Sequence, residues 1–577
     1  MCCGIEARHH PVYPPVDDPQ TAGPESHIAR PALFFVIAQA GRVDTLNFRQ
    51  ELHHGRVVTC HVDRPADIHA MFMDALRRAP GAVAAVDGDE RWTYAALADR
   101  IDRCAWRLAE RGLVAGDRLG ILLDNRPDYL TLLLAAARSG IICVPMNMRQ
   151  RPPETGYALT NSGAVAVIYE DALIDQLPPR GDTPAVRHWL PFTQEQSAWA
   201  QSTDDLPPAP DRSAVGEDDP FCILYTSGTT GRPKGAVLTH LGIVTGCIGT
   251  QRHMQLGDAE AMILAVPASH VTGILLVLML SIRIAGKVVF QRGFKARAFL
   301  ELAEREKMSF AILVPAMYKL CLMEPDFATF DLRHWRIGAY GGAPMAEATI
   351  AALAMQLRHL SLVNTYGSTE TTSPAVMMPL GAGQTHSDKV GRALPYARIL
   401  IMDDNGRQCR PGDQGEIWIA GPMTVPGYWD NPVATQAGFA GGYWKSGDIG
   451  SMDEHGYIRV LDRMKDMINR GGFKIYSAEV ENVLMAHDAV TEAAVVGRPC
   501  PVLGERVEAF VVVYNAISEQ DLRAFCAAQL SDYKVPDHIT SVAGPLPRNA
   551  NGKLMKATVR MWAMDGSHAS VGEPGRR

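Results

Sequence analysis

No Cys-x-x-Cys pair occurs in this chain, and no cysteines are clustered beyond the adjacent Cys2 and Cys3. The 11 cysteines are an odd number scattered as far as Cys526, which excludes a disulfide frame or a zinc site as an organising device. Reduced thiols in a cytoplasmic protein are the expectation. Long apolar runs are missing too. Gly273 to Ile282 is strongly apolar but is cut by Arg283, well short of the ~20 residues a membrane span needs, so a buried helix is predicted there. The stretch Ala32 to Ala40 has too short an apolar core, and begins too late, for a secretory signal. A basic stripe is also absent. With 56 Lys and Arg against 63 Asp and Glu the net charge is −7, so nothing points to nucleic acid. There is no internal repeat, and no Gly-Lys-Ser/Thr stands at the spacing of a P-loop.

What is present is an ordinary globular composition, 47% hydrophobic and 21% charged, on a chain of 577 residues. That length implies roughly three to four domains of ~150 residues. Residues 1–62 are rich in Pro, His and Asp and lack periodicity, so a poorly ordered extension is predicted, with regular structure beginning near Ile68. From there short apolar runs alternate with helical patterns. Val83–Val86 and Arg91–Tyr94 flank a polar turn, Tyr94–Gly112 and Pro127–Gly140 read as helices, and Arg118, Ile141 and Ala164 open strands. Further strands begin at Met262, Ser309, Ile337 and Ser361. Such alternation predicts a multidomain α/β protein, in which parallel-rich sheets are layered with helices and ligands sit at the strand ends. From Ala397 the pattern shifts to short strands with turns, a β subdomain over 397–464. Beyond it lies a small α+β domain over 465–565, then a disordered tail over 566–577.

The stretch Tyr225 to Val237 is the most informative. It holds three glycines, four Ser/Thr hydroxyls (Thr226, Ser227, Thr229, Thr230) and Lys234, behind the apolar run Phe221 to Tyr225. Gly228 and Gly231 clear the backbone for a ligand, the hydroxyls and N–H groups face phosphate oxygens, and Lys234 adds a point charge.

Downstream come Gly341-Gly-Ala-Pro344, Asn364-Thr-Tyr-Gly-Ser-Thr-Glu-Thr-Thr372, Trp444-Lys-Ser-Gly-Asp448, Asp462-Arg-Met-Lys-Asp466, Gly471-Gly-Phe-Lys-Ile475 and Pro547-Arg-Asn-Ala-Asn-Gly-Lys553. The ordered series, over about residues 65 to 560, resembles the adenylate-forming superfamily of acyl-CoA synthetases, aryl-CoA ligases, peptide-synthetase adenylation domains and firefly-type luciferases. The resemblance implies ATP, Mg²⁺ and coenzyme A as reactants or cofactors, and a mobile C-terminal domain. It implies that Glu370 holds Mg²⁺ and that Tyr366 stacks on adenine. Gly341, Gly342, Ala343, Asn364, Gly367 and Thr369 would line the nucleotide, while Asp448 accepts from the ribose hydroxyls with Arg463 nearby. Lys553 would bridge the α-phosphate and the attacking carboxylate. Lys465 falls at the hinge, and Gly471 and Gly472 at the coenzyme A tunnel. His270 matches a pocket position that orients the carboxylate or gates the thiol, with Ile274, Tyr340, Gly341 and Thr371 lining the acyl group.

Amino-acid-activating relatives place an aspartate near the position of His270, but none occurs between Asp258 and Asp326. No carrier domain follows Lys553 before Arg577, so a diffusible thiol is the expected acceptor and a fatty or aryl acid the expected substrate. An acyl-adenylate donor to a separate carrier protein or to oxygen, and a catalytically silent binding relative, stay open at this point. A homodimer also stays open.

Overall fold

The computed structural model describes residues 47–192, 214–226, 232–549 and 552–567. Three sheets organise them. The first has six strands in the order Lys234–Thr239, Pro220–Thr226, Ile142–Pro145, Arg118–Leu122, Ala166–Glu170 and His188–Phe192. All neighbours are parallel except the first pair, a hairpin whose register sets Lys234 opposite Thr226. The second sheet carries a parallel run, Ser361–Tyr366, Ile337–Gly341, Phe310–Leu313, Ala261–Leu264, Lys287–Phe290 and Val83–Asp87. Two short strands, Val376–Met377 and Gly391–Ala393, then lead into antiparallel Tyr457–Arg463, Tyr443–Met452, Gln414–Ala420 and Arg398–Met402. The stretch expected as a β subdomain is therefore a hydrogen-bonded continuation of this sheet. The third sheet, of five strands, is built on the long pair Val490–Cys500 and Gly504–Val513, packed by Ser477–Met485 and Lys556–Asp565.

The helices follow from their sequences. Tyr94–Glu110 starts where the Thr93 hydroxyl accepts from Ala96 N, and it buries Leu97, Ile101, Cys104, Ala105 and Leu108 at helical spacing. Pro127–Ser139 begins on a proline, which needs no N–H in the first turn, and ends on left-handed Gly140. It is apolar nearly all round and touches strands of both large sheets, so its burial welds the two layers into one core. Fully burying one of its leucines contributes ~1.5–3 kcal/mol. The apolar run predicted as a buried helix is one: Val271–Gly273, Ile274–Met279 and Leu280–Arg283 form a continuous helical segment, almost wholly buried, with a π-helical centre. No described helix is long and apolar enough to cross a membrane.

One expectation fails. Residues 48–61, assigned above to a poorly ordered extension, form the hairpin Phe48–His53 and Arg56–His61. Its two turn residues, His54 and Gly55, both have positive φ (49° and 72°), the geometry that matches strand twist. Val58 and Cys60 are buried against Leu241 beside half-buried charged groups, and Arg64 pairs with Glu51 and Glu217 at 2.6 Å each. That guanidinium holds the Glu51 carboxyl down at about 2. Phe48 and the chain after it belong to one compact unit.

Candidate active site

The predicted residues gather in two adjoining groups. The first surrounds Glu370, which sits in the short helical turn Thr369–Thr371 just after the parallel strand Ser361–Tyr366. Ser368 fixes that turn, its N–H donating to Thr371 Oγ1 and its own Oγ donating to Glu370 Oε2 at 2.6 Å. Glu370 Oε1 accepts from Thr226 Oγ1 at 3.3 Å and from Tyr428 Oη at 3.0 Å. The ammonium of Lys234 lies 5.1 Å from the Tyr428 ring centre. Tyr428 escaped the sequence reading, although Gly427-Tyr-Trp429 runs beside the strand Lys234–Thr239. Val237 N donates to Gly427 O and Trp429 N to Gly235 O, so this segment is laced to the strand that leaves the loop. The Ser227, Gly228, Thr229, Thr230 and Gly231 of the loop fall outside the described residues.

Glu370 is buried and, among the described residues, pairs with no Lys, Arg or His. A carboxylate that accepts from three hydroxyls, one of them on Thr226 at the end of the strand Pro220–Thr226, is an all-oxygen, anionic donor set, and it fits Mg²⁺ better than a softer metal.

The second group forms where the antiparallel strands meet the small domain. Asp448 and Arg463 stand opposite each other in register, and Arg463 Nε lies 3.2 Å from Asp448 Oδ1. Tyr366 Oη donates to the other oxygen at 2.8 Å. Burial pushes the Tyr366 phenol well up, and the carboxylate beside it adds to the shift. Lys553 enters from the tight loop in which Gly552 N donates to Asn549 O and Lys553 N to Asn549 Oδ1. Its side chain is open to water yet closely surrounded by protein, as in a cleft. That desolvation lowers its pKa to about 8. Arg463 and Lys465 push the same way, and Asp448 and Asp466 oppose them.

His270 faces this group. It caps the helix that starts at Val271, its Nδ1 accepting from Thr272 N at 3.2 Å. An imidazole nitrogen that accepts carries no proton, so the neutral ring bears its proton on Nε2. Burial, and then the charge of Lys553, lower the ring to about 4. His270 is therefore a neutral N–H donor near pH 7. The loop carrying it is anchored by Asn125, whose Nδ2 donates to Leu264 O, Val266 O and Gln291 O while its Oδ1 accepts from Ala268 N at 2.8 Å. A single buried amide thus ties the ends of two strands, Ala261–Leu264 and Lys287–Phe290, under the site, its two N–H hydrogens shared among three carbonyls.

The glycines divide. A Cβ on Gly341 would stand 2.5 Å from Thr365 O, its neighbour in register, so close strand pairing already demands glycine there. Gly342 has φ +77° with open space around it, which leaves the backbone free to meet a ligand. Ala343 is exposed beside it, and Gly367 packs against Pro374. Asn364 is buried, its Nδ2 reaching Lys389 O at 3.5 Å. Of the acyl-pocket set, Ile274 and Tyr340 are closed to solvent, and burial raises the Tyr340 phenol to about 12. Thr371 spends its hydroxyl on Ser368 O. Gly471 and Gly472 are not brought to this cleft by any hydrogen bond. They form an exposed turn at positive φ in the third sheet, with Gly471 N donating to Leu503 O.

A cleft that sets a buried carboxylate beside Thr226, and a second carboxylate beside a tyrosine, an arginine and a converging lysine, has the charge pattern of a nucleotide-dependent ligase. The chain belongs to the AMP-binding enzyme family, whose model matches residues 72–429, and the C-terminal domain model of the same enzymes matches residues 479–553. It is 34% identical over 490 residues to a feruloyl-CoA synthase of Amycolatopsis, an alignment spanning 84% of this chain and 96% of the relative. Identity to the long-chain-fatty-acid–CoA ligase FadD13 of Mycobacterium tuberculosis is 32% over 477 residues, spanning 82% and 93%. Among solved structures it is similar to the o-succinylbenzoate coenzyme A synthetase MenE of Bacillus subtilis in complex with ATP and magnesium. There the TM-score is 0.75 at 26% identity, covering 85% of this chain and 99% of that one. The α/β multidomain fold and the superfamily read from the motifs are both confirmed.

Proposed function

We propose that the protein is an ATP-dependent acid:CoA ligase acting on a fatty or aryl carboxylic acid. The carboxylate attacks the α-phosphorus of ATP, the bond to the β-phosphate oxygen breaks, and acyl-AMP and pyrophosphate form. The thiol of coenzyme A then displaces AMP. In the first step Glu370 would hold Mg²⁺, which would supply positive charge to offset the negative charge of the phosphates. Lys234 and the phosphate loop grip the departing pyrophosphate, and Asp448 accepts from the ribose hydroxyls with Tyr366 and Arg463 fixing its direction. Tyr366 and Gly342 border the base, along with Ala343, Asn364, Gly367 and Thr369. Neutral His270 donates Nε2–H to the carboxylate, and Ile274 and Tyr340 bound the acyl group.

The observation that carries this reading is the convergence of Lys553 on Asp448, Arg463 and His270. An ammonium there pulls two anions together that would otherwise repel, and it stabilises charge on the pentacoordinate phosphorus. The same arrangement is the conformation for the first step. For the second, the small domain turns about Lys465, withdraws Lys553 and presents Gly471 and Gly472 to the thiol. The small domain is taken as 465–565 and the nucleotide-binding domain as 63–464.

Each residue named comes from one chain, so the reading needs no second copy. The nine described cysteines are all free, in keeping with a reducing, cytoplasmic setting. Pyrophosphate release across fatty, aryl and dicarboxylic acids, with and without coenzyme A, tests the proposal. Acid-dependent release followed by thioester formation supports it, whereas release that never yields a thioester moves the acceptor to a carrier protein.

A further inference from the structure

The chain passes from the second sheet to the third through one short segment, between Arg463 and Ile468. Asp462 stands at the near side of that crossing and Ser477 on the far side, at the start of helix Ser477–Met485. Both are buried. Asp462 Oδ2 accepts from the Ser477 backbone N–H and from Ser477 Oγ, the latter at 2.6 Å. Ser477 Oγ in turn accepts from Lys556 Nζ at 2.6 Å, so its one proton and a lone pair are both committed. Lys556 completes its bonding on Glu481 at 2.7 Å, a carboxyl whose pKa burial raises and Lys556 draws back. Lys556 opens helix Lys556–Asp565, three residues after Lys553. One turn further along, Arg560 donates to Lys465 O at 3.3 Å and lies 3.6 Å from Asp466. The helix that follows Lys553 is therefore tied at two points, one turn apart, to the crossing segment and the strand before it.

We infer that the Asp462–Ser477–Lys556 relay is a positioning clamp, specific to the acyl-adenylate-forming conformation, which holds Lys553 in the cleft. The inference rests on the reading of Lys553 given above. Asp462 remains with the second sheet, while Ser477, Lys556 and Lys553 travel with the small domain. Any turn of that domain about residues 464–467 must break the Asp462 bonds as it withdraws Lys553. A buried, charge-assisted contact of this kind favours one of the two domain positions, and its loss shifts the balance towards the other. The clamp residues act through Lys553 and touch no reacting atom.

The test uses full-length Ser477→Ala and Lys556→Met. Acid-dependent pyrophosphate release is measured with an aryl-propenoate and a saturated fatty acid, and thioester formation is measured from the matching synthetic acyl-AMP plus coenzyme A. The clamp predicts a fall of about tenfold or more in the first half-reaction and no fall in the second. Lys556→Arg, which still reaches Ser477 and Glu481, should restore the first half-reaction. Backbone hydrogen exchange over 464–467 should quicken in Ser477→Ala, a readout that needs no substrate. Ser477→Ala keeps the backbone bond to Asp462, so it folds even if Lys556→Met does not. Equal losses in both half-reactions, or no loss in either, overturn the clamp. Lys553→Ala separates the two failures. If it loses only the first half-reaction while the clamp variants do not, the clamp is wrong and the role of Lys553 stands. If Lys553→Ala itself fails to separate the half-reactions, the role of Lys553 is wrong and the clamp falls with it.

Discussion

Lys553 titrates at about 8, because the cleft strips water from its ammonium and Arg463 and Lys465 add like charge, with Asp448 and Asp466 opposing. In the role proposed for Lys553 the active form is the protonated one, since only an ammonium can bind phosphate and carboxylate together. Its pKa lies below that of a free lysine, so the charged form is lost as pH rises through about 8. The protonated fraction drops from about nine-tenths at pH 7 to about one-tenth at pH 9. Acid-dependent pyrophosphate release, measured as kcat/KM without coenzyme A, should therefore fall about tenfold between those values, because kcat/KM reports groups of the free enzyme. Omitting coenzyme A removes its thiol from the titration, and His270, at about 4, lies below the range. Bound ATP adds negative charge beside Lys553, so the limb in kcat should sit at higher pH than the limb in kcat/KM. In Lys553→Arg the guanidinium stays charged throughout, and whatever its rate the variant should lose the alkaline limb. A wild-type profile flat to pH 9.5, or a limb unchanged in Lys553→Arg, refutes the argument.

Three other perturbations discriminate roles within the cleft. Glu370→Gln keeps the size of the side chain but removes the charge proposed to hold Mg²⁺. The first half-reaction should fall about 10²-fold, as for loss of a strong electrostatic contact, with partial recovery in a Mg²⁺ titration; an unchanged Mg²⁺ dependence counts against the metal role. Gly341→Ala forces a Cβ against Thr365 O and should cost about 1–3 kcal/mol of stability, seen as a lower Tm; an unchanged Tm with a raised KM for ATP would mean that nucleotide approach, and not strand pairing, requires the glycine. His270→Ala should raise KM for the acid about tenfold or more, as expected for a lost hydrogen bond to a charged group, and leave KM for ATP unchanged; equal changes in both would make the histidine a support for the loop.

The sequence carried the architecture where local pattern decides it. Alternating apolar runs placed the strands at Arg118, Ile337 and Ser361 within a residue or two, because buried parallel strands have no polar face to blur them. The hairpin Phe48–His53 and Arg56–His61 was missed because its half-buried face mixes Val58 and Cys60 with His53 and Arg56, whose partners, Asp218 and the carbonyls of Thr424 and Val425, lie more than a hundred residues away. Only the His54-Gly55 turn announced it. Within the cleft, residue types and motif order named Glu370, Asp448 and Lys553. What they could not supply were contacts between distant segments: Tyr428 on Glu370, Asn125 beneath the His270 loop, Ser477 between Asp462 and Lys556. The two glycines also needed coordinates, because the motif treats them alike while Gly341 answers to strand packing and Gly342 to backbone conformation.

Lys553 is proposed to serve acyl-adenylate formation and then to leave the cleft. The most direct measurement of that role is the pair of half-reactions in Lys553→Ala, as pyrophosphate release from acid and ATP, and thioester yield from supplied acyl-AMP and coenzyme A. With Lys553 in that role, the first should fall about 10²-fold or more, the scale expected for a positioned transition-state cation, with the second retained. Equal loss of both, in protein that remains folded, would contradict it.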